Sequence, residues 1–265
     1  MGSRFRIQHY QIESEKLNKA KELKIIFLSD LHSKQYGKDN ERLLEAIRSE
    51  RPDFIFVGGD MLIGLKNASL HVATSLATAL CKICPVYYAN GNHEQRLKLY
   101  PEVYGRLYEE YKAALMGAGV ALLENESRFI RTETADFYLH GLEIPAECFA
   151  KLRRTSLSVD TINERIGECA KGYNILLAHN PKFTDSYLAW GADLVLSGHL
   201  HGGVVRIPGI GGMISPQGIL FPKYSGEHTK VGDADVVVSK GLGDHTIPIR
   251  IMNPKEIIVL HLCGI

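Results

Sequence analysis

Lys24-Ile25-Ile26-Phe27-Leu28 and Phe54-Ile55-Phe56-Val57 are short unbroken apolar runs, the mark of strands buried on both faces. Val86-Tyr87-Tyr88-Ala89, Tyr173-Asn174-Ile175-Leu176-Leu177-Ala178 and Leu194-Val195-Leu196-Ser197 share that character. Between the first two runs, Leu43, Leu44 and Ile47 fall on one helical face, which predicts a helix over 40–50 with Asn40 as its cap. Strand, helix, strand in that order is a parallel βαβ unit. Periodicity predicts further helices over 71–81, 102–118 (the longest) and 161–169, and another opened by Pro181. Residues 4–13 alternate loosely, as an edge strand does, and shorter strand-like runs occur at 120–123, 128–130, 137–140, 236–239 and 257–260. The whole predicts an α/β fold, a four-layer α-β-β-α sandwich of two mixed sheets packed face to face with helices outside. No linker divides the chain, so one domain over 1–265 is expected, with the polar stretch 143–172 as a covering segment.

The ends of these strands carry the chemistry. Asp30-Leu31-His32, Gly58-Gly59-Asp60, Gly91-Asn92-His93-Glu94, His179-Asn180-Pro181 and Gly198-His199-Leu200-His201 each follow an apolar run, at the carboxyl ends where ligand sites of parallel sheets gather. Two glycines let the backbone bend before Asp60, whose two oxygens can serve two cations side by side. Asp30 and His32 can grip one cation with His201, while Asn92, His179 and His199 hold the other. Oxygen and imidazole donors without thiolate favour Mn, Fe or Zn. Two such ions about 3.5–4 Å apart lower the pKa of a shared water and clamp a phosphoryl group for in-line attack, so phosphoester hydrolysis is the expected reaction. His93, beside a ligand yet not needed as one, is placed to stabilise the transition state and protonate the leaving oxygen.

In this order the five blocks resemble the calcineurin-like metallophosphoesterases, whose pattern is D-x-H, G-D, G-N-H-[ED], H and G-H-x-H. The resemblance covers nearly the whole chain and implies a β-sandwich flanked by helices. It assigns Asp30, His32, Asp60 and His201 to one metal, Asp60, Asn92, His179 and His199 to the other, and the catalytic histidine to His93. The tail, with Phe221-Pro222-Lys223-Tyr224-Ser225-Gly226, Gly241-Leu242-Gly243 and Pro248-Ile249-Arg250, is similar to a bacterial subgroup often found behind an N-terminal membrane anchor and linked to envelope or lipid-related phosphoesters. Gly59-Asp60-Met61-Leu62-Ile63-Gly64 lacks the second aspartate and the arginine of the G-D-x-V-D-R-G protein phosphatases. Phosphoprotein is therefore not the expected substrate, and what orients His93 is left open. His32 stands where purple acid phosphatases place a tyrosine, which argues against a charge-transfer iron site.

Composition changes this picture little. In 265 residues, 45% hydrophobic and 23% charged with a formal charge of +1, nothing marks a strong nucleic-acid binder. A small phosphoester, a phosphodiester or a nucleotide or lipid-linked compound, is the expected partner. A nuclease and a non-catalytic metal-binding module of the same fold are the alternatives. Five cysteines fit no disulfide framework, and the Cys81/Cys84 pair closes a helix, as structural thiols would. No run of about 18 apolar residues is present. A cytoplasmic location is expected, or a peripheral membrane one if a native anchor precedes this segment.

Arg96, Glu143 and the Arg153-Arg154 pair are the candidate substrate contacts, each with solvation as the plainer alternative. His228 and His245, in glycine-rich loops, could line the cleft. His9, His71, His140 and His261 read as surface or core residues. Gly209-Ile210-Gly211-Gly212 reads as a hairpin loop rather than a dinucleotide fingerprint, since no helix follows.

Overall fold

The computed structural model describes residues 4–17, 22–133, 135–150, 155–203, 205–207, 211–213, 218, 220–244 and 250–265. Its strands are β1 (Arg6–Ser14), β2 (Leu23–Leu28), β3 (Phe54–Val57), β4 (Val86–Ala89), β5 (Ala121–Leu123), β6 (Glu126–Ile130), β7 (Phe137–Leu142), β8 (Asn174–Ala178), β9 (Leu194–Ser197), β10 (Arg206–Ile207), β11 (Gly211–Gly212), β12 (Glu227–Val231), β13 (Ala234–Val238) and β14 (Glu256–Gly264). Its helices are α1 (Glu41–Glu50), α2 (His71–Leu80), α3 (Asn92–Leu99), α4 (Pro101–Tyr104), α5 (Leu107–Gly117), α6 (Val159–Ile166) and α7 (Thr184–Trp190).

One six-stranded sheet runs β1-β14-β2-β3-β4-β5 and the other β12-β13-β9-β8-β7-β6. Both are mixed. β2 to β5 are mutually parallel while β14 opposes β2, and β13, β9, β8 and β7 are parallel while β12 and β6 are antiparallel edges. Side chains alternate across a strand, so each apolar run feeds two cores. Ile25 and Phe27 of β2 meet Ile175, Leu177, Leu194 and Leu196 between the sheets, whereas Ile26 and Leu28 turn outward against Leu43, Ile47 and Leu76 of α1 and α2. On the far side Leu176, Val195 and Val236 pack beneath Ile162, Tyr187 and Trp190 of α6 and α7. These three cores between four layers are the expected sandwich, and β1 lies at an edge as predicted.

Several helix boundaries differ from the sequence reading. Asn40 has φ 61° and offers no side-chain cap; its Oδ1 accepts the Tyr36 N–H at 2.9 Å. The helix expected over 102–118 is two, α4 and α5, because Gly105 takes a left-handed φ of 61° and breaks the spiral. α6 starts earlier than expected, where the Ser158 hydroxyl accepts the Thr161 N–H at 3.1 Å, and stops at Gly167 before Cys169. β10 pairs antiparallel with β11 across the anticipated hairpin, whose residues 208–210 lie outside the described residues. Burial raises both thiols of the Cys81/Cys84 pair, Cys84 to about 12, so neither is an activated nucleophile. Among the described residues no helix is long and apolar enough to cross a membrane.

Candidate metal centre

Parallel strands that share a sheet end together, so β2, β3 and β4 bring Asp30, Asp60 and Asn92 to one edge of the sandwich. β8 and β9 bring His179, His199 and His201 to the same edge from the other sheet. Backbone bonds lace the ends: Asp30 N–H to Gly59 O (3.0 Å), His32 N–H to Asp60 O (3.0 Å) and Gly198 N–H to His179 O (3.0 Å). The two sheets are joined where the His199 N–H donates to both oxygens of Asp30, each at 3.1 Å. Room for this closeness comes from glycine. A Cβ on Gly59 would stand 2.1 Å from the Gly91 nitrogen, and one on Gly198 would stand 2.0 Å from Ser29 Oγ.

Asp30, His32, Asp60, His199 and His201 all have left-handed backbones, with φ between 48° and 66°. Each such residue costs on the order of 1–3 kcal/mol and persists only where the surroundings enforce it, which is characteristic of functional sites. The strain turns the side chains inward. Three groups of donor atoms result, each within 4.8 Å: Asp30/His32/His201, Asp60/His179/His199, and His32/Asp60/His93.

The separations suit a cation. His32 Nε2 lies 3.0 Å from His201 Nε2, His201 Nε2 lies 3.4 Å from Asp30 Oδ1, and His179 Nε2 lies 3.1 Å from Asp60 Oδ2. Donors about 2.0–2.2 Å from a shared ion stand roughly 3.0–3.5 Å apart. His179 Nδ1 donates to Gly58 O at 2.6 Å, which aims Nε2 at the Asp60 carboxylate oxygen, and a positive charge, a proton or a cation, has to lie between them. The Asn92 amide oxygen is buried and accepts no hydrogen bond among the described residues. These features fit a divalent metal centre.

The titration of the cluster agrees. Burial by itself would raise Asp30 and Asp60, but His201 and His179 around the first, and His179 and His32 around the second, hold both well below the usual carboxylate range. Burial would lower His179, yet Asp60 and Asp30 outweigh it and raise that ring to about 10. His32 is raised against its burial by Asp30 and Asp60. In the absence of a cation, protons on imidazoles balance the two carboxylates.

His93 behaves differently. Burial lowers it to about 4 despite Asp60 Oδ2 at 3.9 Å from Nε2, so the ring is neutral and the contact is no ion pair. The Gly64 N–H donates to its Nδ1 at 2.7 Å, which places the remaining proton on Nε2, and the Asp60 carboxylate fixes the His93 backbone N–H at 2.8 Å. The group that orients His93 is therefore a backbone amide four residues past Asp60, a donor with no side-chain signature in sequence.

Further residues that the sequence reading did not single out support the site. Glu94 is fully buried and accepts the N–H groups of Asp60 (2.8 Å), Met61 (3.0 Å) and Gly91 (2.9 Å) and the Tyr88 hydroxyl (2.8 Å). Its bond from the Gly91 N–H is the N3-to-N-cap half of a capping box at the start of α3, a spacing visible in Gly91-Asn92-His93-Glu94. The Asn253 amide donates to His201 O at 2.6 Å, and Arg250 Nη2 stands 3.2 Å from His201 Nδ1. The Phe149 ring meets His199 edge-on with centroids 5.4 Å apart.

The expected substrate contacts are less central. Glu143 is buried and accepts Asn90 Nδ2 at 2.7 Å and Lys98 Nζ at 2.9 Å, so its charge is committed within the structure. Arg96 is exposed in the last turn of α3. Arg153, Arg154 and His245 lie outside the described residues. His228 pairs with Asp235 at 2.6 Å, His140 with Asn174 at 3.1 Å, and His9 with His261 at 2.9 Å, while His71 is exposed at the start of α2.

A family model described as calcineurin-like phosphoesterase matches residues 23–203. An uncharacterized metallophosphoesterase of Aquifex aeolicus (strain VF5) is 27% identical over 272 residues, 98% of this chain and 92% of the relative. Phosphodiesterase YaeI of Escherichia coli (strain K12) is 24% identical over 249 residues, 90% of this chain and 82% of the relative. Among solved structures, phosphopantetheinyl hydrolase (PptH) from Mycobacterium tuberculosis superposes with a TM-score of 0.52 at 15% identity, over 84% of this chain and 91% of that chain, a likeness of fold.

Proposed function

The chain belongs to the calcineurin-like phosphoesterase family, and from that premise we propose that it is a dinuclear metal-dependent hydrolase of phosphodiesters or of small nucleotide or lipid-linked phosphoesters. The observation that carries this reading is the pair of donor groups that meet across the Asp60 carboxylate, with the Asn92 oxygen buried and lacking a donor among the described residues. Asp30, His32, Asp60 and His201 would hold the first ion, and Asp60, Asn92, His179 and His199 would hold the second. Mn, Fe or Zn suits these donors. When bound, such ions supply positive charge that acidifies water and neutralises the phosphoryl oxygens.

The chain's own residues do the remainder. Glu94 fixes the loop that presents Asp60 and the helix start that presents Asn92 and His93. His93, neutral and protonated on Nε2, offers a hydrogen bond to charge developing on the leaving oxygen. Full proton transfer from His93 starts from the imidazolium, which must release the Gly64 N–H from Nδ1. Phe149 places an apolar ring against the His179/His199 side of the centre. The name of the Escherichia coli relative, phosphodiesterase YaeI, favours a diester over a monoester; the five cysteines favour a cytoplasmic setting, and the subgroup resemblance of the tail favours a membrane-peripheral one.

The test is hydrolysis of bis(4-nitrophenyl) phosphate and 4-nitrophenyl phosphate by metal-stripped protein reconstituted separately with Mn, Fe, Zn and Mg. Metal-dependent diester turnover is expected. Monoester preference would replace the diester assignment, and bound metal without turnover on either would replace the enzyme with a binding module.

A further inference from the structure

Arg4, Arg6, Arg250 and Lys255 line an open cavity of about 500 Å³ on the flank of His201, with Asp244 as the one carboxylate among its lining residues. Lys34 reaches the same Asp244, so three cations pair with one acid while two further arginines line the cavity, in a chain whose formal charge is only +1. Asp244 is already committed. Lys255 Nζ lies 2.6 Å from its Oδ1, Lys34 Nζ bonds its Oδ2, and Arg250 Nε is 3.8 Å from Oδ1. Arg4 and Arg6 are exposed and have no ion-pair partner among the described residues.

Arg250 joins this cavity to the metal centre. Its Nη2 donates to Gly243 O at 2.7 Å and stands 3.2 Å from His201 Nδ1, while its Nη1 is buried with no acceptor among the described residues. A buried guanidinium N–H without an acceptor is costly, and a planar fork of such donors matches an oxyanion better than any other ligand class. Burial, with Lys34 adding to it, lowers Lys255 to about 8 even against Asp244, so this corner is short of negative charge. If Arg250 served only to position His201, the two free arginines converging on the same cavity would have no part.

We propose that this cavity is an anion subsite beside the metal centre, taking a phosphate-class oxyanion, and that it selects phosphoesters carrying a second phosphate beyond the one hydrolysed. The inference rests on the phosphoesterase reading above. Its test uses the metal-loaded full chain and the Arg4→Glu/Arg6→Glu variant, which changes two exposed residues outside the proposed ligand set. Two esters are compared, 4-nitrophenyl 3-phosphopropyl phosphate and 4-nitrophenyl 3-hydroxypropyl phosphate. The wild type should prefer the phosphate-tipped ester by about tenfold in kcat/KM, chiefly through KM, as expected of a charge-assisted contact. The variant should lose that preference while its kcat/KM on the hydroxyl-tipped ester stays within about twofold.

Titration calorimetry with inorganic phosphate supplies a readout that needs no turnover. Binding outside the metal centre should be present in the wild type and weakened about tenfold in the variant. If that loss appears without any tip preference, the site takes free phosphate and the substrate part of the proposal is overturned. If phosphate binding and tip preference are the same in both proteins, the subsite itself is overturned. Failure of both esters to react in the wild type would count against the phosphoesterase reading, leaving calorimetry to decide the subsite.

Discussion

Replacing Glu94 by alanine removes a buried carboxylate that ties the Asp60 loop to the start of α3, leaving there the bond from the His93 N–H to Asp60. Three backbone N–H groups, those of Asp60, Met61 and Gly91, lose their acceptor at a fully buried position, while Tyr88 keeps Tyr111 as a partner at 3.0 Å. An orphaned buried donor costs about 1–3 kcal/mol. Water entering the vacated space relieves part of this, so a loss of about 4 kcal/mol is expected for the three together. With a urea dependence of about 3 kcal/mol per molar, the unfolding midpoint should fall by roughly 1.3 M. Glu94→Gln keeps the volume and one oxygen, so it should fall between wild type and alanine. Both variants should also lose metal affinity, because Asp60 and Asn92 are held by the same loop and helix start. A midpoint shift under roughly 0.3 M for Glu94→Ala, with metal affinity unchanged, would refute the view that Glu94 organises the centre.

Asp60→Asn should weaken both ion sites and abolish turnover, measured as metal content and diester hydrolysis; normal values would remove Asp60 from between the two ions. His93→Ala should leave fold and metal content intact and slow a substrate with a poor leaving group by about 10²–10⁴, while a near-normal rate would dismiss its role at the leaving oxygen. In metal-free protein the raised pKa of His179 makes its stabilising contribution complete below the ordinary histidine value and lost as pH rises through about 10. The depressed Asp60 contributes above the ordinary carboxylate value and loses its contribution in acid, so the cluster stabilises most between roughly pH 4 and 6.5. Cation entry displaces the His179 proton, so metal binding at pH 8 should release protons, read from calorimetry in buffers of different ionisation enthalpy; no release would contradict the titration. Phe56→Ala, between the sheets, should cost about 3–5 kcal/mol in urea unfolding, and a loss below 1 kcal/mol would misplace that core.

The strands were legible because a buried parallel strand must be apolar on both faces, as Ile25 to Leu28 and Phe54 to Val57 are. The candidate site was legible for a related reason, since polar residues directly after such strands have only the sheet's carboxyl edge to occupy. What sequence did not disclose is held by groups without a signature. The Gly64 amide that orients His93 is backbone, and the left-handed turns at Asp30, Asp60 and His201 are conformations that non-glycine residues do not signal in sequence. Arg250 and Asn253 come from the far end of the chain and meet His201 through tertiary packing. Gly105 split a helix whose apolar spacing gave no warning, and Asn40 gave its side chain to Tyr36 rather than to a cap.

Anomalous diffraction from crystals of the manganese-loaded protein tests the central claim most directly. Two peaks about 3.5–4 Å apart, one on each side of the Asp60 carboxylate, are predicted, with Asn92 Oδ1 and His179 Nε2 beside one and His32 and His201 beside the other. A single peak, or ions that do not touch Asp60, would contradict the two-metal account.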